Sequence, residues 1–385
     1  MDVVRIHRPM IPFDFEIQSV NWNAAHVVLR DLEFQNCSGE YLIRSYGVEN
    51  TTLSDIRTLD CQADFEVLGI VGGIASLQDT VWERISARQL MVIARWDEVV
   101  IHSLYVQSIN STILFELSGN TFESQGTLSH LELNTLISAI ELSGHIFTLD
   151  HVTVLNPSLS PEQSIFLITC DRLHMSNLSY QEGTGGLMSV KPLVSEIDQF
   201  TIVGMDLINV TSSTRSIMEL HNAQMGLFTD VNIHQISTPT LVELTHSWLD
   251  INASATIVIE EMNVFDSSWN QLIRSTGSEF SLKARDLHIE SNVNYKITEV
   301  DCAFSLGSEE TKRLTTSFTN LQYLSNQRTR SNPHLLVGSV WKTHIDLHRT
   351  LVERCLCFSS PVFPVRVGGQ SIAVFTTTES WHVGS

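Results

Sequence analysis

The sequence predicts an all-β parallel β-helix, and three observations carry that expectation. One short phrase recurs along the chain at a nearly constant spacing. Each copy alternates apolar and polar residues with the period of two that belongs to a strand. The stretches between copies, such as "NCSGE", "NPSLSPEQ" and "TSSTRS", have turn composition.

The recurrence is plain in "GEYLIRSYGVE", from Gly39, and "NQLIRSTGSEF", from Asn270. One half of the repeat reads apolar-x-x-apolar-x-apolar. It begins as Leu29, Leu32, Phe34 and returns as Leu53, Ile56, Thr58. Further copies are Ile101, Leu104, Val106, then Leu128, Leu131, Leu133, then Leu149, Val152, Val154. Later ones are Met175, Leu178, Tyr180, then Phe228, Val231, Ile233, and finally Leu282 or Ala284 with Leu287 and Ile289. The other half is a short apolar run: "YLIRS" at Tyr41, "LMVIA" at Leu90, "ILFEL" at Ile113, "AIELS" at Ala139, "IMELH" at Ile217 and "LVELT" at Leu241.

Both halves recur every 25 residues or so, about the length of one structural repeat. Two or three short strands cannot bury their own apolar face. Stacking each unit in parallel on the next removes that exposure and builds one continuous core. The expectation is a coil of about 11 turns over residues 26–305, on the order of 50 Å long at one strand spacing per turn. Residues 1–25 are an entry segment. Residues 306–385 run off period in "GSEETKRLTTS", "SNQRTRSNPH" and "PVFPVRVGG", and are expected as an irregular C-terminal β extension or cap. Its "SIAVFTTT", from Ser371, is expected to add a strand to a neighbouring molecule. The rival fold is a leucine-rich-repeat solenoid, because "LRDLEFQNC" from Leu29 fits that frame. It is disfavoured because the second half of nearly every copy is strand-like rather than helical.

"LSDIRTLDC", "LDHVTVLN" and "ILFELSGN" resemble the right-handed parallel β-helix, or pectin-lyase-like, superfamily. The resemblance is one of repeat pattern and specifies no subfamily. It implies a fold and leaves activity open. Enzymes of that superfamily act on acidic polysaccharides. Polygalacturonase-like members carry Asn-Thr-Asp, Asp-Asp, Gly-His-Gly and Arg-Ile-Lys signatures, and this sequence has none of the four. "SGH", ending at His145, comes nearest and lacks the following Gly. Lyase members hold calcium with several Asp residues beside a basic proton acceptor. The densest local set is "TCDRLH", where Asp171, Arg172 and His174 read as turn and surface residues.

No catalytic, cofactor-binding or metal-ligating residue is assigned. The 15 His are scattered without zinc spacing. Net charge is −20, from 43 Asp and Glu against 23 Lys and Arg, which disfavours nucleic acid as a partner. No apolar run reaches the roughly 18 residues of a membrane span. The start, "MDVVRIHRPMIPFDFEI", has no signal-peptide core, so the expectation is either a different route or a fragment of a precursor. Asn36, Asn50, Asn110, Asn177, Asn209 and Asn252 head Asn-x-Ser/Thr sequons and are candidate glycosylation sites. Asn at such turns also suits a ladder inside the coil. Cys37 and Cys61 hold the same place in consecutive units, which makes them a candidate disulfide. Two small buried residues in a core ladder are the alternative.

These features point to a non-enzymatic structural or cell-surface protein, extracellular, needing no cofactor and set in a polymeric or filamentous assembly. Self-association, a larger protein assembly and glycans are the expected contacts. A carbohydrate-active enzyme of pectin-lyase-like fold is one alternative. A module binding glycan or protein is the other.

Overall fold

A computed structural model shows an all-β parallel solenoid of about 10 turns, with no helix among the described residues. The structure describes residues 16–18, 26–46, 48–120, 123–245, 254–276 and 279–294, and separate strands between 302 and 368. The chain divides into two compact units, Met1–Thr184 and Gly185–Ser385.

In the first unit, every ladder between neighbouring coils is parallel. The repeat seen in sequence is a set of inward columns. Leu29 stands opposite Leu53, Leu53 opposite Leu77 and Leu77 opposite Ile101. The column continues through Leu128, Leu149 and Met175. A second column runs Phe34, Thr58, Trp82, Val106, Leu133, Val154, Tyr180, all buried. The short apolar runs form a third, from Ile43 through Leu68, Met91, Phe115 and Ile140 to Phe166. Each fully buried aliphatic or aromatic side chain contributes about 1.5–3 kcal/mol, so the columns supply most of the driving force.

The "x-x" of the repeat has a geometric cause. Between the two inward residues of each copy sits one residue in the left-handed region: Asp31, Asp55, Asp79, Ser103, His130, His151 and Asn177, with φ between +49° and +58°. That residue turns the strand through a corner, and alternation restarts beyond it. A second left-handed corner follows five residues later, at Asn36, Asp60, Arg84, Ser108, Thr135, Asn156 and Glu182. Such a conformation costs a side-chain-bearing residue roughly 1–2 kcal/mol, least for Asn and Asp. The second corners keep their amides bonded to the next coil, as in Asn36 N–H to the Leu59 carbonyl at 3.1 Å and Arg84 N–H to the Gln107 carbonyl at 3.0 Å.

The second unit repeats the scheme. Phe228, Ile259 and Ala284 share one register position, which makes Ala284, rather than Leu282, the first residue of that copy. Met188, Met218, Val242 and Ile273 form an inward column, and Phe304 shares their register position. Arg44 and Arg274, from the two "LIRS" phrases, hold equivalent outward places, each between an inward Ile and a buried Ser.

Parallel pairing continues past residue 305. Glu279–Glu290 pairs with Arg313–Leu324, which pairs with Thr343–His348 and Leu351–Glu353. Leu336–Ser339 pairs with Val365–Gly368. The expected extension is therefore β structure stacked in parallel where it is described. "SIAVFTTT" lies outside the described residues. Of the entry segment, Glu16–Gln18 pairs in parallel with Arg44–Tyr46.

Leu131 is 1% exposed and stands between Leu104 and Val152. Leu131→Asp buries a carboxylate with no partner, at a cost of several kcal/mol against the roughly 5–15 kcal/mol that holds a domain together. The variant should lose its cooperative melt by circular dichroism, while Glu132→Ala on the outward side should melt within a degree or two of the parent. A soluble Leu131→Asp protein with unchanged melting contradicts the inward assignment.

Candidate functional site

Alternation along the third strand of each coil places one set of residues inward and the next outward. In the first unit the outward set gathers acid. Glu116 and Glu141 are in register on adjacent coils. Tyr41 lies opposite Glu66, and Glu66 opposite Gln89, beside register shifts that re-aim these side chains. Gln89 Nε2 donates to Glu116 Oε2 at 2.6 Å. The Glu66 carboxylate lies over Gly69, where any Cβ would collide with it. At the edge of the patch, the Arg44 guanidinium sits 3.8 Å from the centre of the Tyr41 ring, and Tyr41 stacks on Phe65 at 5.5 Å.

Crowding sets the charge state of this patch. Burial pushes the Glu66 carboxyl up, Arg44 pulls it back down, and Glu116 pushes it up again. Burial and then the Glu116 charge push Glu141 up. Both groups therefore hold a proton more readily than a free carboxyl. Among the described residues no three His, Cys, Asp or Glu side chains are grouped to hold a metal ion. The patch is suited to hydrogen-bonding hydroxyl groups or meeting a cation at its rim.

A second cluster joins two places that the sequence left apart. His145 and Asp171 occupy the same corner of consecutive coils, and Asp171 Oδ2 accepts from His145 Nδ1 at 2.9 Å. The Nδ1 proton is assigned from that contact. The His145 amide donates to Ser124 Oγ at 3.1 Å. Asp171 Oδ1 is buried without a hydrogen-bond partner. A carboxylate on Nδ1 fixes the ring and leaves Nε2 to exchange a proton, the arrangement of an oriented general base. Arg172 and His174 are both exposed. The signal that could have joined His145 to Asp171 is their separation of one coil length.

A histidine ladder crosses the first corner. The His102 and His130 rings are 4.8 Å apart edge to face, and the His130 and His151 rings are 4.8 Å apart and stacked. Beside it, the Ser176 hydroxyl first, then His151 and Asn177, hold the Asp150 carboxyl down at about 2.

Of the sequon residues, Asn36, Asn110, Asn177 and Asn209 are exposed, and all but Asn110 sit at left-handed corners. Asn177 Nδ2 donates to Asp150 Oδ1 at 3.1 Å, and Asn50 Nδ2 is 2.8 Å from His26 Nδ1, so both amide nitrogens are engaged. Asn252 lies outside the described residues. Cys37 and Cys61 are buried, in consecutive coils, and carried as free thiols. No helix of the described residues is long and apolar enough to cross a membrane. Compared with known proteins, the chain matches no family model, no curated protein and no solved structure.

The raised Glu141 carboxyl fixes the sign of a pH test. Charged in both states at neutral pH, the group costs the fold its burial and its repulsion from Glu116. Below the free carboxyl range, near 4, it is neutral in both states and the cost is gone. Glu141→Gln should raise the melting temperature by about 1–2 °C at pH 7, with the gain vanishing near pH 4. A loss of stability at pH 7 would show instead that the Glu141 charge is compensated.

Proposed function

We propose that this protein is a non-enzymatic structural β-solenoid of a cell surface or extracellular assembly. One observation carries the reading: many polar side chains bond to a residue of the neighbouring coil, several of them at their own register position. Arg84 grips Asp60 through two bonds of 2.7 and 2.9 Å. Asn120 Nδ2 donates to Asp97 at 2.6 Å, and Ser111 lies 2.9 Å from Ser138. His102 lies 2.9 Å from Ser129. In the second unit, Asn263 donates to Asn232 at 2.9 Å, Asn232 to Asp206 at 3.2 Å, and Ser216 to Glu243 at 2.7 Å. Donors used this way stiffen the stack and are not free to grip a substrate.

Self-association is part of the reading. Among the described residues, the ten-residue strand His26–Gln35 is paired on one side only, with Asn50–Leu59. An edge of that length is a template for another chain. With a net charge of −20, such a contact must be local or bridged by cations or glycans. The exposed sequon asparagines support a glycosylated surface. The repeat supports kinship with the pectin-lyase-like superfamily.

A second reading, a carbohydrate-active enzyme of that fold, is favoured by the His145–Asp171 pair and the raised carboxyls beside Glu116. Two assays separate the readings. Sedimentation of the full chain should show species growing with concentration, and electron microscopy should show the same. A monomer at all concentrations rejects the assembly. Acidic polysaccharides incubated with the protein should yield no product. Turnover lost in both His145→Ala and Asp171→Asn would establish the enzyme instead.

A further inference from the structure

We propose that Cys37 and Cys61 are a disulfide site, joined by exchange with a small disulfide such as oxidised glutathione, so that the His26–Tyr46 coil is clipped to the next. The proposal stands apart from the function proposed above.

Register is the first support. Gln35 lies opposite Leu59 and Ser38 opposite Gln62, which sets Cys37 opposite Cys61. Parallel neighbours are spaced by about 4.8 Å, inside the Cα range of about 4.4–6.8 Å that a disulfide spans. The Cys61 sulfur lies against the Cys37 backbone, where the Cys37 amide donates to it at 3.4 Å. Each thiol also donates to the carbonyl two residues before it, Gln35 at 3.6 Å and Leu59 at 3.1 Å.

Position is the second support. Further along the same column stand Ile85 and Ile109, both buried. The site therefore takes a bulky aliphatic side chain in those coils. It carries the smaller cysteine only in two consecutive coils at the end of the described ladder. The cysteines thus stand where later coils place an inward isoleucine, so both point into the core column on one face of the ladder. The His26–Gln35 strand is paired on one side only among the described residues, so a covalent tie to the next coil limits its fraying. A recess of about 640 Å³ is lined by both cysteines with Asn36, Asp60 and Arg84, and it gives a small disulfide room to approach.

The chemistry balances in two exchanges. When this coil opens, the Cys37 thiolate attacks one sulfur of oxidised glutathione and expels a glutathione thiolate. When the coil closes, the Cys61 thiolate attacks Cys37 Sγ and expels the second. The two protein thiol protons end on two glutathione molecules, the protein gains one S–S bond, and glutathione disulfide is reduced. Burial pushes the Cys37 thiol up, and the Cys61 thiol up to about 12. The closed coil therefore reacts slowly, and the rate follows opening.

The test uses the full chain, incubated with oxidised glutathione at pH 8, denatured in N-ethylmaleimide and digested with trypsin without reduction. Cleavage at Arg30, Arg44, Arg57 and Arg84 isolates each cysteine on its own peptide. The expected product is peptide 31–44 joined to peptide 58–84, two hydrogens lighter than their sum. The oxidised protein should melt about 4 °C higher than the reduced protein. Cys61→Ser should lose both the joined peptide and the gain. Free or singly glutathionylated cysteines at 37 and 61, or either one joined to another cysteine, would overturn the proposal. A joined peptide with no rise in melting would overturn the clip.

Discussion

In-register parallel pairing of each coil with the next is the constraint on which the rest of the structure depends. A parallel ladder satisfies backbone donors and acceptors only if consecutive coils have matching strands and corners. That demand fixes which residues point inward, because a slip of one position moves a whole strand's apolar set to the outside. It also explains the left-handed corners. A coil must turn without losing ladder bonds, and one left-handed residue does this while its amide still reaches the neighbouring coil. The corner at Arg84 pays for itself in this way, bonded through its backbone to Gln107 and through its side chain to Asp60.

The columns were legible in the sequence because burial leaves a composition signal. Leu29, Leu32 and Phe34 recur as apolar residues whatever the length of the loops between copies. The corners were legible only as a gap, the unexplained "x-x". Their occupants range from Asp31 to His130 to Asn177, since the left-handed conformation selects for tolerance rather than for one chemistry. The functional clusters were less legible still. His145 and Asp171 meet because they fall at one corner of consecutive coils. Coil lengths vary, so their separation carries no fixed motif. Glu116 and Glu141 sit in phrases read for their apolar residues and Glu66 in none of them, and their outward neighbours depend on register shifts that no local pattern announces.

The same stacking shapes what the surface can do. Aligned coils bring like positions within one strand spacing, so any outward residue type that recurs becomes a ladder. Where donors meet acceptors, as at Asn232 and Asp206, the ladder locks register. Where acids meet, as at Glu116 and Glu141, burial and then repulsion raise proton affinity. A scaffold and a reactive site are thus two outcomes of one geometry, decided by which residues share a column. Among the described residues, several outward columns are of the first kind, and the acidic patch is of the second.

Register dependence is tested most directly by thermal unfolding of two single-residue insertions, each an added Ala. One goes between Glu132 and Leu133, inside the strand Gln125–Asn134. The other goes between Glu162 and Gln163, in the exposed turn that Gln163 N–H closes on the Ser160 carbonyl at 3.0 Å. The strand insertion turns Leu133 outward and should abolish the cooperative transition, while the turn insertion should melt within a degree or two of the parent. Equal tolerance of both insertions would contradict in-register stacking as the source of the fold.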